Sequence, residues 1–223
     1  MNDLSPQGFT WSFSALKNFE VCARRYYNYN VARDVKEPES DAIKQGHAVH
    51  AAFDARIKTG KPLPLGMGMH EGMLSRFVQA PGETYAEQKL GLTSEFKPSA
   101  FFGKGVWFRT VLDATKVHGD TATIVDWKTG RPDDDTTQLK LGAAVIFAHN
   151  QNIQHVRSAF MFVNHEQMER EDYVRSDLTE IWGDILPRVR KLVEARQQQN
   201  YPPKPGGLCR RYCAVTSCPF HGK

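Results

Sequence analysis

Residues 106–128 read VWFRTVLDATKVHGDTATIVDWK, and this stretch decides the fold. Two segments rich in β-branched and aromatic residues, 106–117 and 121–128, flank a Gly-Asp turn, which predicts a β-hairpin. Asp113 lies near the middle of the first strand. Asp126 and Lys128 lie two residues apart on the second strand, so their side chains point to one face. We therefore expect two carboxylates and one lysine to converge on this hairpin.

The residue types on the hairpin are those of a divalent-metal site. Asp113 lies in an apolar stretch, where a carboxylate is costly unless it is paired or bound to metal. Carboxylate oxygens suit Mg²⁺ or Mn²⁺, and Lys128 would orient or deprotonate an attacking water and offset developing negative charge. The alternative is ordinary, because an Asp-x-Lys at a strand end is most often a surface ion pair.

A predicted helix upstream offers a nitrogen ligand. In residues 41–57, Gly46, His50, Phe53 and Ile57 recur at helical spacing. If this face packs on the sheet, His50 would complete the metal shell, and manganese accepts imidazole more readily than magnesium does. His50 alone would otherwise be interpreted as a core histidine. His47 lies on a neighbouring stripe and is expected to be structural or exposed.

The remainder of the chain alternates between helix and strand patterns. Its 223 residues and net charge of +4 suit one compact α/β domain with no strong demand for a polyanionic partner. We expect a single domain over 1–223, with a core at about 40–200. Ser12 is the predicted N-cap of the first helix. The predicted helices are 13–29, 41–57, one following the acidic run 133–135 and ending near 150, and 176–199; the further strands are 84–93, 153–164 and 166–175.

Four cysteines are distributed unevenly: Cys22 stands near the start, and Cys209, Cys213 and Cys218 lie close to the end. Residues 1–6 carry neither a basic nor an apolar leader, and the apolar run 141–148 is too short for a bilayer, so we expect a cytoplasmic protein with no membrane association. In that compartment, clustered thiols bind metal more often than they form disulfides. Four thiolates suit an iron–sulfur cluster or a tetrahedral zinc ion, with His221 as an alternative zinc ligand.

Basic residues flank the cysteines, with Arg24 and Arg25 after Cys22 and Arg210 and Arg211 after Cys209. If the thiols meet, segments at about 12–30 and 205–220 come together, and these arginines form one basic surface with Tyr26. Arginine forks suit phosphates and aromatic rings suit unpaired bases, so we expect a DNA-binding rim. The alternative is that the arginines pair with local acids such as Glu20.

These motifs follow one another in a recognisable order: Ser12, Cys22, G-x-x-x-H ending at His50, Asp113, D-x-K at 126–128, Gln138 and the three terminal cysteines. The order resembles the RecB-like branch of the PD-(D/E)xK nuclease superfamily over residues 9–218. More narrowly, it resembles the iron–sulfur nucleases, which include CRISPR-adaptation exonucleases, the AddB nuclease domain and eukaryotic replication helicase-nucleases. The resemblance implies a restriction-endonuclease-like core, a central mixed sheet flanked by helices, with the N-terminal helix and C-terminal tail joined by a metal cluster.

The resemblance also implies roles for individual residues. It makes Asp113 and Asp126 acidic metal ligands, Lys128 the catalytic lysine and Glu87 an accessory acid. The further implied assignments are a metal ligand at His50, a ligating backbone carbonyl at Trp127, an active-site glutamine at Gln138 and a 4Fe-4S cluster on Cys22, Cys209, Cys213 and Cys218. Two features depart from the family pattern: Gly142 stands where a tyrosine is expected, and the tail spacing is C-x3-C-x4-C rather than C-x2-C-x5-C.

The function implied is that of a metal-dependent DNA exonuclease acting on single-stranded DNA or on the ends of duplex DNA. It would act in recombination, repair or CRISPR and phage DNA processing, in a bacterial, archaeal or phage-infected cell. The chain has no G-x-x-x-x-G-K-[ST] motif, so a helicase, recombination or CRISPR-adaptation partner would be a separate chain. The alternative function is a non-catalytic or partner-dependent DNA-binding subunit that retains the fold and the cluster.

Overall fold

The computed structural model describes residues 8–36, 39–132 and 135–223. The chain divides into two compact units, one formed by 40–181 and the other by the segment up to residue 39 together with 182–223. The expectation of a single domain over 1–223 stays a prediction. Two residues of the predicted acidic run, Asp133 and Asp134, lie outside the described residues. No helix in the described ranges is both long enough and apolar enough to cross a membrane.

The unit 40–181 is built on a six-stranded mixed sheet in the order β2-β1-β3-β4-β5-β6. β4 and β5 are parallel, and the other neighbouring strands are antiparallel. The α/β prediction with a mixed sheet is therefore confirmed. The strands are β1 Glu83–Leu92, β2 Pro98–Ala100, β3 Phe108–His118, β4 Thr121–Lys128, β5 His155–Phe162 and β6 Gln167–Val174.

Helices cover both faces of this sheet. The α-helices of the chain are α1 Phe13–Val21, α2 Ala23–Tyr26, α3 Asp41–Thr59, α4 Glu71–Gln79, α5 Thr137–His149, α6 Leu178–Gln197 and α7 Leu208–Arg211. On one face, Phe53 of α3 and Leu74 of α4 belong to a buried cluster with Trp127 of β4. On the other face, α5 connects the parallel strands β4 and β5, and Gly142 packs near Ile124. Successive residues of β4 thus face opposite helical layers.

The central hairpin forms as predicted, and its register creates the opening for a site. β3 and β4 pair from His118–Thr121 back to Ala114–Val125, where the ladder ends. A two-residue turn of Gly119 and Asp120 joins them, and Gly119 takes the left-handed conformation, with φ of 61°. Asp113 and Asp126 come immediately beyond the last pair, so both carboxylates lie where the two strands separate.

The first predicted helix, 13–29, is not continuous. Ser12 caps it as expected, because its hydroxyl accepts the Ala15 N–H. Cys22 then takes an extended conformation, with φ −164° and ψ 117°, and separates α1 from α2. Among the short elements, α4 and β2 were also absent from the prediction. Neither segment carries a long periodic pattern, and β2 is held by its pairing with β1.

Candidate functional site

Three side chains from three elements of the unit 40–181 meet in one place. His50 of α3, Glu87 of β1 and Asp113 of β3 each present a ligand atom, and these atoms lie within 4.8 Å of one another. The His50 Nδ1 atom lies 3.3 Å from Asp113 Oδ2. The three residues line an open cleft of about 790 Å³ between α3 and the sheet. Long-range packing therefore assembles a group that could hold a metal ion.

Glu87 reaches this cluster through an unusual backbone conformation. Its φ is 51°, in the left-handed region that non-glycine residues rarely occupy. The residue lies between the β1–β3 pairs Ala86–Ala114 and Gln88–Leu112, so the ladder is interrupted opposite Asp113. Backbone strain of this kind, which costs roughly 1–3 kcal/mol, concentrates at functional sites. The strain is consistent with a functional carboxylate at Glu87.

Asp126, Lys128 and Gln138 form a second group next to the first. The Lys128 Nζ atom lies 2.6 Å from Asp126 Oδ2 and donates a hydrogen bond of 2.8 Å to Gln138 Oε1. The Gln138 side-chain amide in turn donates to Asp126 Oδ1. The side chain of Asp126 is 9% exposed and that of Lys128 is 32% exposed. Gln138, on the first turn of α5, thus orients both members of the D-x-K pair.

Negative charge accumulates at this site. Burial, followed by the charge of Asp113, raises the pKa of Asp126 to about 6, although Lys128 opposes the shift. Burial also raises the pKa of Glu87, with Asp113 and Asp54 adding to the effect. The hydrogen bond to Asp113 raises the pKa of His50 against the opposing effect of burial. Burial is the leading cause of the raised pKa at Asp126 and Glu87, and the negative charge of Asp113 contributes to the raised pKa of all three groups.

The backbone of Trp127 contributes to the same opening. Its N–H donates a hydrogen bond of 2.8 Å to Asp113 Oδ2. On the next residue, the Lys128 carbonyl accepts the Val163 N–H, on the β5 side. Because peptide groups alternate direction along a strand, the Trp127 carbonyl points to the Asp113 side with its N–H. This orientation suits the predicted role of that carbonyl as a metal ligand.

The donor set fits a hard divalent ion. The two carboxylates and one imidazole of His50, Glu87 and Asp113 suit Mg²⁺ or Mn²⁺. The predicted ligand Asp126 lies outside this group and contacts Lys128 and Gln138. Sequence reasoning treated Glu87 only as an accessory acid, because nothing local to β1 reveals that its backbone turns it toward Asp113. The structure also accounts for Gly142, which stands where the sequence pattern predicted a tyrosine. A Cβ there would lie 3.4 Å from Ile124 and Leu112, so this position faces the core and has no room for a tyrosine.

The four cysteines lie in the other unit and surround one cavity of about 260 Å³. The Cys22 Sγ atom accepts a 3.3 Å hydrogen bond from the Lys204 N–H. Within the tail, the Gly222 N–H donates to the Cys209 carbonyl, which folds the last residues back onto α7. No three of these sulfur atoms lie within 4.8 Å of one another, and all four residues are described. The four thiols thus line one cavity, but their sulfur atoms are not as close together as the ligands of one shared ion must be.

The predicted DNA-binding residues divide into exposed and buried ones. Arg210 and Arg211 are exposed, and the guanidinium of Arg24 lies over the Tyr27 ring at 5.7 Å. Tyr26 is only 2% exposed and packs edge-on against Phe19, so no base can stack on its ring. Its assignment to a DNA-binding surface is therefore wrong: Tyr26 is a core residue. The suggested arginine partner Glu20 is bound instead by Arg188, through two hydrogen bonds of 2.6 and 2.7 Å.

Comparison with known proteins identifies one family and several similar solved structures. The family model of the PD-(D/E)XK nuclease superfamily matches residues 57–219. A candidate exonuclease from Eubacterium rectale shares 12% identity, with a TM-score of 0.51, over 93% of this chain and 88% of that one. The crystal structure of SSO0001 shares 16% identity over 97% of this chain and 88% of its own, with a TM-score of 0.47. No curated protein sequence matches.

Proposed function

We propose that this chain, which belongs to the PD-(D/E)XK nuclease superfamily, is a divalent-metal-dependent deoxyribonuclease that degrades DNA from its ends. The observation that carries the proposal is the meeting of His50, Glu87 and Asp113 within 4.8 Å. The D-x-K pair lies beside them. A buried acid cluster, a nitrogen ligand and an adjacent lysine are the parts needed for metal-assisted hydrolysis of a phosphodiester. Within the superfamily, we assign the chain to the RecB-like branch with four cysteines.

Each residue has a definite part in the proposed reaction. His50, Glu87, Asp113, Asp126 and the Trp127 carbonyl would hold the ion. When bound, the ion would polarise the scissile phosphate and favour ionisation of a water molecule. Lys128 places an ammonium group beside this position, where it orients the water and offsets the negative charge that develops on phosphorus-bound oxygens. Gln138 is a positioning residue, since it bonds both Asp126 and Lys128.

A cleavage assay with end-labelled single-stranded and blunt duplex DNA, in Mg²⁺ or Mn²⁺, tests the proposal. Asp113→Ala, Asp126→Ala and Lys128→Ala should each abolish cleavage while the circular dichroism spectrum stays unchanged. Lys191→Ala, an exposed lysine on α6, is the matched control and should cleave normally. Full activity of the Asp126→Ala protein would refute this active site. Cleavage of circular single-stranded DNA would refute an exonuclease and indicate an endonuclease.

We further propose that Cys22, Cys209, Cys213 and Cys218 hold a 4Fe-4S cluster. Four thiols line one cavity whose walls include the apolar Val21, Val215 and Phe220. A tetrahedral zinc site, with Zn–S bonds of about 2.3 Å, needs sulfurs roughly 3.8 Å apart. No three of these cysteines form a close ligand group, and a cubane binds each thiolate to a separate iron. The Lys204 N–H bond to Cys22 Sγ is of the kind that tunes such clusters.

Anaerobically purified protein tests the cluster directly. It should be brown, with broad visible absorbance and about four irons per chain, the content of one 4Fe-4S cubane. A colourless protein with stoichiometric zinc would keep the four-cysteine site and overturn the cluster.

We expect the protein to work in the cytoplasm, with a helicase, recombination or CRISPR-adaptation protein as its partner. Pull-down with the purified partner, followed by cleavage assays, would test that expectation.

A further inference from the structure

A turn at the edge of the sheet carries two consecutive phenylalanines. The Gly103 N–H donates a 2.8 Å hydrogen bond to the Ala100 carbonyl, which closes a β-turn with Phe101 and Phe102 at its centre. A Cβ on Gly103 would lie 3.0 Å from the Ala100 carbonyl oxygen, so this tight turn favours glycine. Phe102 is 78% exposed, and its ring lies edge-on to that of Phe101, with centroids 4.8 Å apart. A rigid turn therefore presents an aromatic ring to solvent.

An arginine from β3 supports these rings. The guanidinium of Arg109 lies 5.2 Å from the Phe101 ring centroid and 5.8 Å from that of Phe102. Within the ranges described, no carboxylate forms an ion pair with Arg109, and its guanidinium packs against the two aromatic rings. Lys104 in the same loop is exposed as well. We call Phe101, Phe102 and Arg109 the Phe102 platform; it combines an exposed aromatic surface with positive charge.

The Phe102 platform lies along the strand that carries Asp113. Val111 lines the same cleft as His50 and Asp113, and Arg109 lies two residues further along β3 on the face of Val111. Arg109 and Asp113 are four positions apart along β3, about 14 Å at roughly 3.4 Å per residue. A stacked nucleic-acid strand covers this distance in about four nucleotides at ~3.4 Å each, and an extended strand covers it in fewer.

We infer that the Phe102 platform binds an unpaired nucleobase of the substrate strand, a few nucleotides from the phosphate at the Asp113 cluster. The inference rests on the proposed nuclease function. An exposed ring stacks on a base of any sequence, while the guanidinium of Arg109 and the ammonium of Lys104 attract the phosphates on either side. The platform would hold the strand in register with the site without reading its sequence.

Binding of single-stranded oligonucleotides in EDTA, without cleavage, tests the inference. Each oligonucleotide carries the fluorescent base 2-aminopurine at one position, moved stepwise from the end. Wild-type protein should quench the fluorescence of 2-aminopurine at one position. This position should lie within about four nucleotides of the DNA end that is placed at the Asp113 cluster. Phe102→Ala should lose this quenching and bind roughly 5- to 150-fold more weakly, the range for one base–aromatic stack. Phe102→Trp should retain both the quenching and the affinity. Leu65→Ala, which removes another exposed apolar side chain, should behave as wild type.

Equal affinity and equal quenching in the Phe102→Ala protein would overturn the platform. Equal quenching of the same position in blunt duplex DNA would overturn the requirement for an unpaired base. The two proposals fail separately. A protein that cleaves DNA in Mn²⁺ without Phe102-dependent quenching keeps the nuclease function and refutes the platform. A protein that shows Phe102-dependent quenching but cleaves no DNA keeps the platform and refutes the nuclease function.

Discussion

Replacing Asp126 with asparagine should stabilise the metal-free protein while abolishing cleavage. Asp126 is buried beside Asp113, and its pKa stands at about 6 against an ordinary value of 3.8. At roughly 1.4 kcal/mol per pKa unit, ionised Asp126 costs about 3 kcal/mol of folding free energy at neutral pH. Asparagine has nearly the same shape, and its carbonyl can still accept the Gln138 hydrogen bond. The variant should therefore melt roughly 6–12 °C higher, at about 2–4 °C per kcal/mol for a chain of this size.

The pH dependence follows from the sign of the shift. Because the folded pKa is raised, the folded state holds the proton more tightly than the unfolded state does. The loss of folding free energy caused by ionised Asp126 is absent below about pH 4, grows between pH 4 and 6 and is complete above pH 6. The difference in melting temperature between Asp126→Asn and wild type should grow over the same interval. Asp172→Asn, on exposed β6, is the control and should change stability by no more than about 0.5 kcal/mol.

Differential scanning fluorimetry in EDTA, from pH 4 to pH 8, measures these differences. Addition of Mn²⁺ should then raise the melting temperature of the wild type and leave that of Asp126→Asn nearly unchanged, because only the wild type retains the ligand. If the Asp126→Asn variant is less stable than wild type at neutral pH, or if the stability difference does not depend on pH, the buried carboxylate of Asp126 does not destabilise the metal-free protein and the argument is refuted.

Three other predictions follow from individual contacts. His50→Ala should weaken Mn²⁺ binding more than Mg²⁺ binding in calorimetric titrations, because it removes the nitrogen ligand; unchanged Mn²⁺ affinity would make His50 a core residue. Cys22→Ser and Cys213→Ser should lose visible absorbance and iron to the same extent, despite their separation in sequence, whereas iron retained by either variant would remove that cysteine from the cluster. Lys116, whose pKa is lowered by burial, donates hydrogen bonds to the carbonyls of Val78 and Ala80 at the end of α4. Lys116→Met should cost about 1–3 kcal/mol in denaturant unfolding, since it leaves these part-buried carbonyls without their donor and removes a cation from a helix C-terminus. An unchanged midpoint would contradict this account.

Short-range patterns were enough to predict much of the unit 40–181. The hairpin of β3 and β4 follows from two extended segments around a Gly-Asp turn, and its register places Asp113 and Asp126 together. The helical spacing around His50 predicts α3, which extends from Asp41 to Thr59. These features depend on residues within one turn, strand or helix of each other. The hairpin and the helix are therefore determined by side-chain periodicity and turn chemistry within short segments of the chain.

Other features depend on contacts between segments distant in sequence. The positive φ of Glu87, which brings its carboxylate to Asp113, has no local signal, because it arises where the β1–β3 ladder is interrupted. The break at Cys22 and the burial of Tyr26 are likewise decided by packing, since the helical pattern of 13–29 is continuous in sequence. The sequence alone determined which residue types were available for the site. Only the tertiary structure decided which of them meet, because burial and strand pairing outweigh local preference.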